Sequence, residues 1–196
     1  MSSPVSFEST RRRLTTAQAE TVGKLTAAAI EVLREDGYDA LTVRSVAKRA
    51  GVAPATAYTY FSSKGHVVAE LFWRRLAESI VEPDPATPRV DRVSVVLRAV
   101  SLAVEDDSHL ARAVTASLLG SDPDVEHLRL RIGLLIRQRI SDALVGDSGE
   151  PVNEAELEAL EMLYSGALVR AGMGYESYSA IADRLVAAAK LLLENR

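Results

Sequence analysis

The side chains best placed to do chemistry lie in one short run, Ala55-Thr56-Ala57-Tyr58-Thr59-Tyr60, entered through Pro54. Small residues that permit close approach alternate there with hydroxyls and phenols that reach phosphate oxygens or base edges. A helix that lies in a DNA major groove, about 12 Å wide, needs this mixture. Cations surround the run. Between Ala40 and Arg75 stand Arg44, Lys48, Arg49, Lys64, Arg74 and Arg75 against Glu70 alone, a local excess of positive charge in a chain whose formal net charge is −4. The asymmetry extends to the two parts of the chain, with 11 Lys/Arg against 9 Asp/Glu through Glu82 and 12 against 18 after it. Such a patch can face a polyanion while the acidic remainder keeps the protein dispersed.

Other chemistries find less support. His66, His109 and His127 are too widely spaced to propose a metal site, and neither a glycine-rich phosphate loop nor a Ser-His-Asp order occurs. Glu154, Glu158 and Glu161 share a helix face, a pattern usual for a solvated stripe. The count of cysteines is zero, which excludes disulfide frameworks, iron–sulfur sites and a Cys nucleophile. No catalytic residue, metal or cofactor is therefore expected, and a reducing, cytoplasmic setting fits.

The elements that must position the run are helices. The chain has 196 residues, of which 47% are hydrophobic and 26% charged, values ordinary for a globular protein of one large domain, or one large and one small. Its longest stretch without a charge, Ala50 to Ser63, is 14 residues and carries several hydroxyls, too short and too polar to span a bilayer. Met1 to Arg13 lacks the apolar centre of a signal peptide. Thr15 and Gln18 have capping-box spacing, Val22, Leu25, Ala29 and Leu33 recur at helical intervals, and Asp36-Gly37 supplies the stop. Thr42 caps a second helix with Val43, Val46, Ala47 and Ala50 inward, ended by Gly51, and Pro54 suits the first turn of a third. Ser63 caps a fourth helix, and Pro83 to Pro88 breaks the pattern. Five more helices are expected, near Arg89 to Glu105, Ser108 to Leu119, Pro123 to Leu144, Glu154 to Gly172 and Ser177 to Glu194. The strand-like alternation of Leu128 to Ile132 yields to helical spacing through Leu135, Ile136, Ile140 and Leu144. The fold class expected is all-α, with about nine helices.

Two short helices joined through Gly51, the second entered through proline, have the make-up of a helix-turn-helix. The segment LTVRSVAKRAGVAPATAYTYFSSKGHVV, Leu41 to Val68, closely resembles the DNA-binding segment of the TetR family of bacterial transcriptional regulators, and the likeness covers roughly residues 16 to 72. The resemblance implies a role for each matching position. Thr42 looks like the family's capping and phosphate-contacting threonine, and Arg44 like the side chain that reaches phosphate or a base edge. Pro54, Ala55, Thr56, Tyr58 and Thr59 match recognition-helix positions, with Thr56 and Tyr60 as phosphate ligands and Phe61 as a core anchor. Lys64 matches the lysine that holds a phosphate at the start of the fourth helix. Arg11, Arg12 and Arg13 could form a minor-groove arm. Three departures from the family pattern are expected to matter. Ala53 replaces a serine cap, Ser45 replaces an acidic residue with loss of a reciprocal cap, and Gly65-His66 replaces acidic residues and weakens a helix start.

The resemblance also implies a division into a basic arm (1–14), a helix-turn-helix domain (15–66) and an effector-binding and dimerisation domain (67–196). Leu157, Leu160, Tyr164 and Ala167 in the penultimate helix, and Leu185, Ala189 and Leu192 in the last, are the expected homodimer interface. Phe72, Trp73, Leu76, Val100, Val114, Leu118, Leu135 and Met162 are the expected lining of a lipophilic effector pocket. Arg129, Arg131, Arg137 and Arg139 could instead meet an anionic effector, or simply be solvated. The expected protein is thus a dimeric repressor of a pseudo-palindromic DNA operator, released by a small molecule. The alternatives are an activator of the same family and a protein-binding adaptor with a vestigial helix-turn-helix.

Overall fold

The structure, a computed structural model, describes residues 15–79, 81–148 and 151–194. Within them the chain is helical, with no strand: α1 (Thr16–Glu35), α2 (Val43–Ala50), α3 (Pro54–Tyr60), α4 (Lys64–Ser79), α5 (Arg89–Leu102), α6 (Ser108–Leu118), α7 (Pro123–Val145), α8 (Glu154–Gly172) and α9 (Tyr178–Glu194). A single 3-10 turn, Gly146–Ser148, follows α7. None of these helices is long and apolar enough to cross a membrane.

Local chemistry sets most of the helix ends. The Thr15 hydroxyl accepts from the Gln18 N–H while the Gln18 side chain accepts from the Thr15 N–H, closing a capping box. Gly51 ends α2 in the left-handed region, φ +65°, where a side chain would be strained. Leu128 to Ile132 is helical, because Leu128, Ile132, Ile136, Ile140 and Leu144 bury one continuous face of α7. Leu130 and Leu134 are left on the outside.

One apolar cluster runs from Val22 in α1 to Leu193 in α9, and α4 contributes Val67, Val68, Leu71, Phe72, Trp73 and Leu76 to it. A smaller cluster of Ala69, Val125 and Leu128 lies between α4 and α7. The proline-rich joint is pinned by Arg92, whose buried guanidinium donates to the carbonyls of Pro85 and Thr87. The same group donates to Ala143 and Leu144 at the C-terminal end of α7, at 2.8 and 3.3 Å. It thereby satisfies carbonyls that the helix itself leaves open.

Helices α6 and α8 approach most closely at Gly172, where an added Cβ would fall 2.5 Å from Thr115 Cβ. Gly172→Ala is expected to force the pair apart and lower unfolding stability by about 1–3 kcal/mol. A urea midpoint equal to that of the unaltered chain would contradict this reading of the contact.

Candidate nucleic-acid interface

Helices α2 and α3 form the expected helix-turn-helix. The Thr42 hydroxyl accepts from the Ser45 N–H, and the Ser45 hydroxyl oxygen accepts from the Thr42 N–H, both at 2.9 Å. The reciprocal cap expected to be lost at Ser45 is therefore present: a serine oxygen reaches the amide that a longer acidic side chain would have reached. At Ala53 the loss is real, for α3 begins with no side-chain cap and relies on Pro54. Ala57 and Phe61 are fully buried and anchor α3, while Pro54, Ala55, Thr56, Tyr58 and Thr59 are exposed. Tyr60 is half-buried against the core, so of the two tyrosines Tyr58, 50% exposed, is the one more open to solvent. The Thr59 hydroxyl donates to the Thr56 carbonyl of the same helix at 2.6 Å.

The start of α4 is held more firmly than Gly65-His66 suggested. The Ser63 hydroxyl accepts from the His66 N–H at 3.0 Å and donates to the Asp122 carboxylate. Asp122 in turn accepts from the Asp124 N–H at the start of α7, at 2.9 Å. The His66 ring meets Phe61 edge-on, with centroids 5.4 Å apart. Lys64, the next residue after the shared hydroxyl, places its ammonium 4.2 Å from the centre of the Tyr38 ring.

The basic patch divides on inspection of its partners. Arg49 is engaged by Glu35 and Asp36 at 2.8 and 3.1 Å, with Glu31 at 3.6 Å. Arg75 pairs with Asp106 at 2.7 Å, and Arg74 with Glu70 at 2.8 Å. Glu70 is fully buried, and that burial pushes its carboxyl above the usual range against the pull of Arg74 and Arg131. Arg44, Lys48 and Lys64 make no ion pair among the described residues. Lys48 was readable in the sequence as part of the exposed face of α2 but was not marked there as a contact. Arg11, Arg12 and Arg13 lie outside the described residues.

Comparison with known proteins bears on this geometry. A family model of bacterial regulatory proteins, tetR family, matches residues 25–71. An HTH-type transcriptional regulator of Mycobacterium tuberculosis (strain ATCC 25618 / H37Rv) is 46% identical over 170 residues, 86% of this chain and 78% of that protein. The chain belongs to the TetR family. Another relative, the HTH-type transcriptional repressor KstR of Rhodococcus jostii, is 25% identical over 179 residues, 90% of this chain and 84% of that one. The crystal structure of a TetR transcriptional regulator from Rhodococcus sp. RHA1 superposes with a TM-score of 0.71 and 26% identity, covering 93% of this chain and 99% of that one. A TetR-family chain is a helix-turn-helix, DNA-binding transcriptional regulator, and α2 and α3 are its helix-turn-helix.

Beyond that unit, a cavity of about 90 Å³ lies between α4, α5, α6, α8 and the start of α9. Phe72, Val100, Val114 and Leu118 of the expected lining surround it, joined by Val104, Leu168 and Tyr178. Trp73 and Leu76 are buried elsewhere in the core, Trp73 beneath the Arg131 guanidinium at 4.7 Å, and Leu135 packs half-buried against the core. Met162 is a correction: it is 65% exposed on the outer side of α8, away from the cavity. The arginines of α7 are engaged internally. Arg129 donates to the carbonyls of Leu118 and Gly120, Arg137 pairs with Glu154 and Glu161, and Arg139 pairs with Glu82.

The expected interface residues need a second correction. Leu157, Leu160, Tyr164, Leu185 and Ala189 are buried within the chain's own core, because the stripe they form on α8 and α9 is the one that meets α5, α6 and α7. Ala167 and Leu192 are half-buried at its edge, and of the expected residues Ala167 and Leu185 also line the outer groove between α8 and α9. The outer stripe of the same two helices carries Met162, Gly166 and Arg170 on α8, with Arg184, Ala188 and Leu191 on α9. A shallow apolar groove runs between the two helices there.

The hydrogen bond from Ser63 holds the Asp122 carboxyl below its ordinary value of 3.8. A carboxyl lowered by folding stabilises the protein above its unfolded value, and that contribution fades as the pH falls through the lower, folded value. Asp122→Asn keeps the shape of the group and removes the charge. Its urea midpoint is expected to lie below that of the unaltered chain at pH 6 and to converge with it below pH 3.8. A gap independent of pH would contradict the assignment.

Proposed function

We propose that this chain is a dimeric transcriptional repressor of the cytoplasm that binds a pseudo-palindromic DNA operator and is released by an uncharged, lipophilic small molecule. The observation that carries the reading is the exposed face of α3. Pro54, Ala55, Thr56, Tyr58 and Thr59 are presented together while Ala57 and Phe61 anchor the helix from behind. Arg44, Lys48 and Lys64 stand to either side of it in the chain. In this reading phosphate contacts fix the register and α3 reads the groove. The name of the KstR repressor supports the sign of regulation. The three parts of the chain, 1–14, 15–66 and 67–196, then act as arm, reader and effector-binding dimerisation domain, joined by α4. No step of this role calls for an enzyme.

The dimer is assigned to the outer stripe of α8 and α9. Small residues, Gly166 and Ala188, allow close approach there, and Met162 and Leu191 supply exposed apolar area. The effector is assigned to the cavity, whose described lining holds no charged side chain and offers the Thr115 hydroxyl and Tyr178 as polar groups. Burial raises the Tyr178 phenol above its usual range, so it stays neutral. At about 90 Å³ the cavity is smaller than the roughly 300–1,000 Å³ usual for small-molecule sites. An effector therefore has to widen it, which displaces α6 or α4, and a ligand that favours the widened form weakens DNA binding by the same coupling.

Ala55→Glu tests the docking face. The added carboxylate is expected to abolish preference for DNA from upstream of the gene over a scrambled duplex, while light scattering still reports two protomers per particle. Operator binding that survives the substitution would show that another surface enters the groove.

A further inference from the structure

Lys64 is not free in solvent. Its ammonium sits 4.2 Å from the centre of the Tyr38 ring, and the Tyr38 hydroxyl shares a hydrogen bond of 3.3 Å with the Ser117 hydroxyl of α6. Tyr38 occupies the turn between α1 and α2 and packs half-buried against the core, so its ring has a fixed place. Ser117 is itself buried and lies beside Leu118, which lines the cavity. Two further ties join the ends of α6, or the corner after it, to the segment before α4 and to α1. Arg34 at the end of α1 pairs at 2.9 Å with Asp107, the residue that caps α6, and Ser63 meets Asp122 just beyond α6.

A lysine has four rotatable bonds and loses much freedom when it is held against a phosphate. A ring face that holds the ammonium by cation–π attraction removes part of that cost beforehand, and does so without neutralising the charge. A carboxylate in the same place, as Glu35 and Asp36 are for Arg49, would have cancelled the charge.

We infer that Tyr38 is a positioning residue for the phosphate grip of Lys64: its ring presets the ammonium, and its hydroxyl fastens the ring to α6 at the wall of the effector cavity. This role rests on the reading of the chain as a DNA-binding regulator and concerns how that same site is prepared. The phosphate contact is indifferent to sequence, so a random-sequence duplex suffices as the probe.

The test is a double-mutant cycle on the full chain, with Lys64→Ala introduced into the unaltered protein and into Tyr38→Leu, Tyr38→Met and Tyr38→Phe. Circular dichroism checks folding, and the Met variant stands in should Leu unfold. Lys64→Ala is expected to weaken duplex binding less in the Leu or Met background than in the unaltered chain, by a factor of about two to five per protomer. The Phe background, which keeps the ring but loses the hydroxyl tie to Ser117, is expected to give an effect of Lys64→Ala between that in the unaltered chain and that in the Leu or Met background. An equal cost of Lys64→Ala whatever residue stands at 38 would overturn the positioning role alone. Absence of duplex binding by the unaltered chain at low salt would overturn the proposed function and this role with it.

Discussion

The hydroxyl of Ser63 joins the starts of two helices, and much of the molecule is arranged by that junction. Its oxygen accepts from the His66 N–H and so caps α4, and its proton goes to Asp122, which caps α7. A helix start leaves amide donors open, and each must find an acceptor or be solvated. Satisfying two starts with one chain of hydrogen bonds fixes the beginning of α4 relative to the beginning of α7. Lys64 follows immediately, and three residues earlier stands Phe61, the cap of α3, which the His66 ring meets edge-on. The reading helix and its neighbouring cation are thereby referred to the body of the protein at a single point.

Around this junction the charges are sorted by function. Among the described residues, Arg34, Arg49 and Arg75 meet carboxylates of other segments, Asp107, Glu35 and Asp106, and Arg74 meets Glu70 one turn earlier on its own helix. Such pairs hold helices in register but offer little to a polyanion, since their charge is already met. Among the described residues of this part, Arg44, Lys48 and Lys64, which flank α3 in the chain, and Lys24 of α1 make no ion pair. The satellite cluster of Ala69, Val125 and Leu128 is thin in comparison with the main core. The contact between the starts of α4 and α7 therefore leans largely on the polar bonds of Ser63 and Asp122.

The helices were legible in the sequence because their ends are written locally. Thr15 with Gln18, Thr42 with Gly51, and the prolines at 54, 88 and 123 each act within a turn of their own position. Phe61 is buried as the family resemblance implies, whereas Ala57, counted in the sequence with the small residues of the groove-facing run, is fully buried behind α3. Pairings over long distances could not be read. Nothing in the order of residues shows that Arg75 meets Asp106 or that Arg92 spans from the proline joint to the end of α7. The two apolar arcs on α8 and α9 were visible, but which arc faces the chain's own core depends on α5, so Leu157 and Tyr164 were placed on the wrong side and Met162 in the wrong cavity. Ser45 misled because the family pattern names a longer acceptor, whereas geometry accepts a shorter one. Tyr38 gave no signal at all, since a lone aromatic in a turn belongs to no periodic pattern.

The central claim is that α3 reads DNA while Arg44, Lys48 and Lys64, none of them ion-paired, grip phosphate on each protomer. Titrating salt against binding of the full chain to DNA from upstream of its gene, beside a scrambled duplex of equal length, tests it most directly. The account predicts preference for the upstream fragment at two protomers per site. With three such cations per protomer it also predicts that the logarithm of affinity falls with the logarithm of salt at a slope of about −5. Equal affinity for the two duplexes, or a slope near zero, would contradict it.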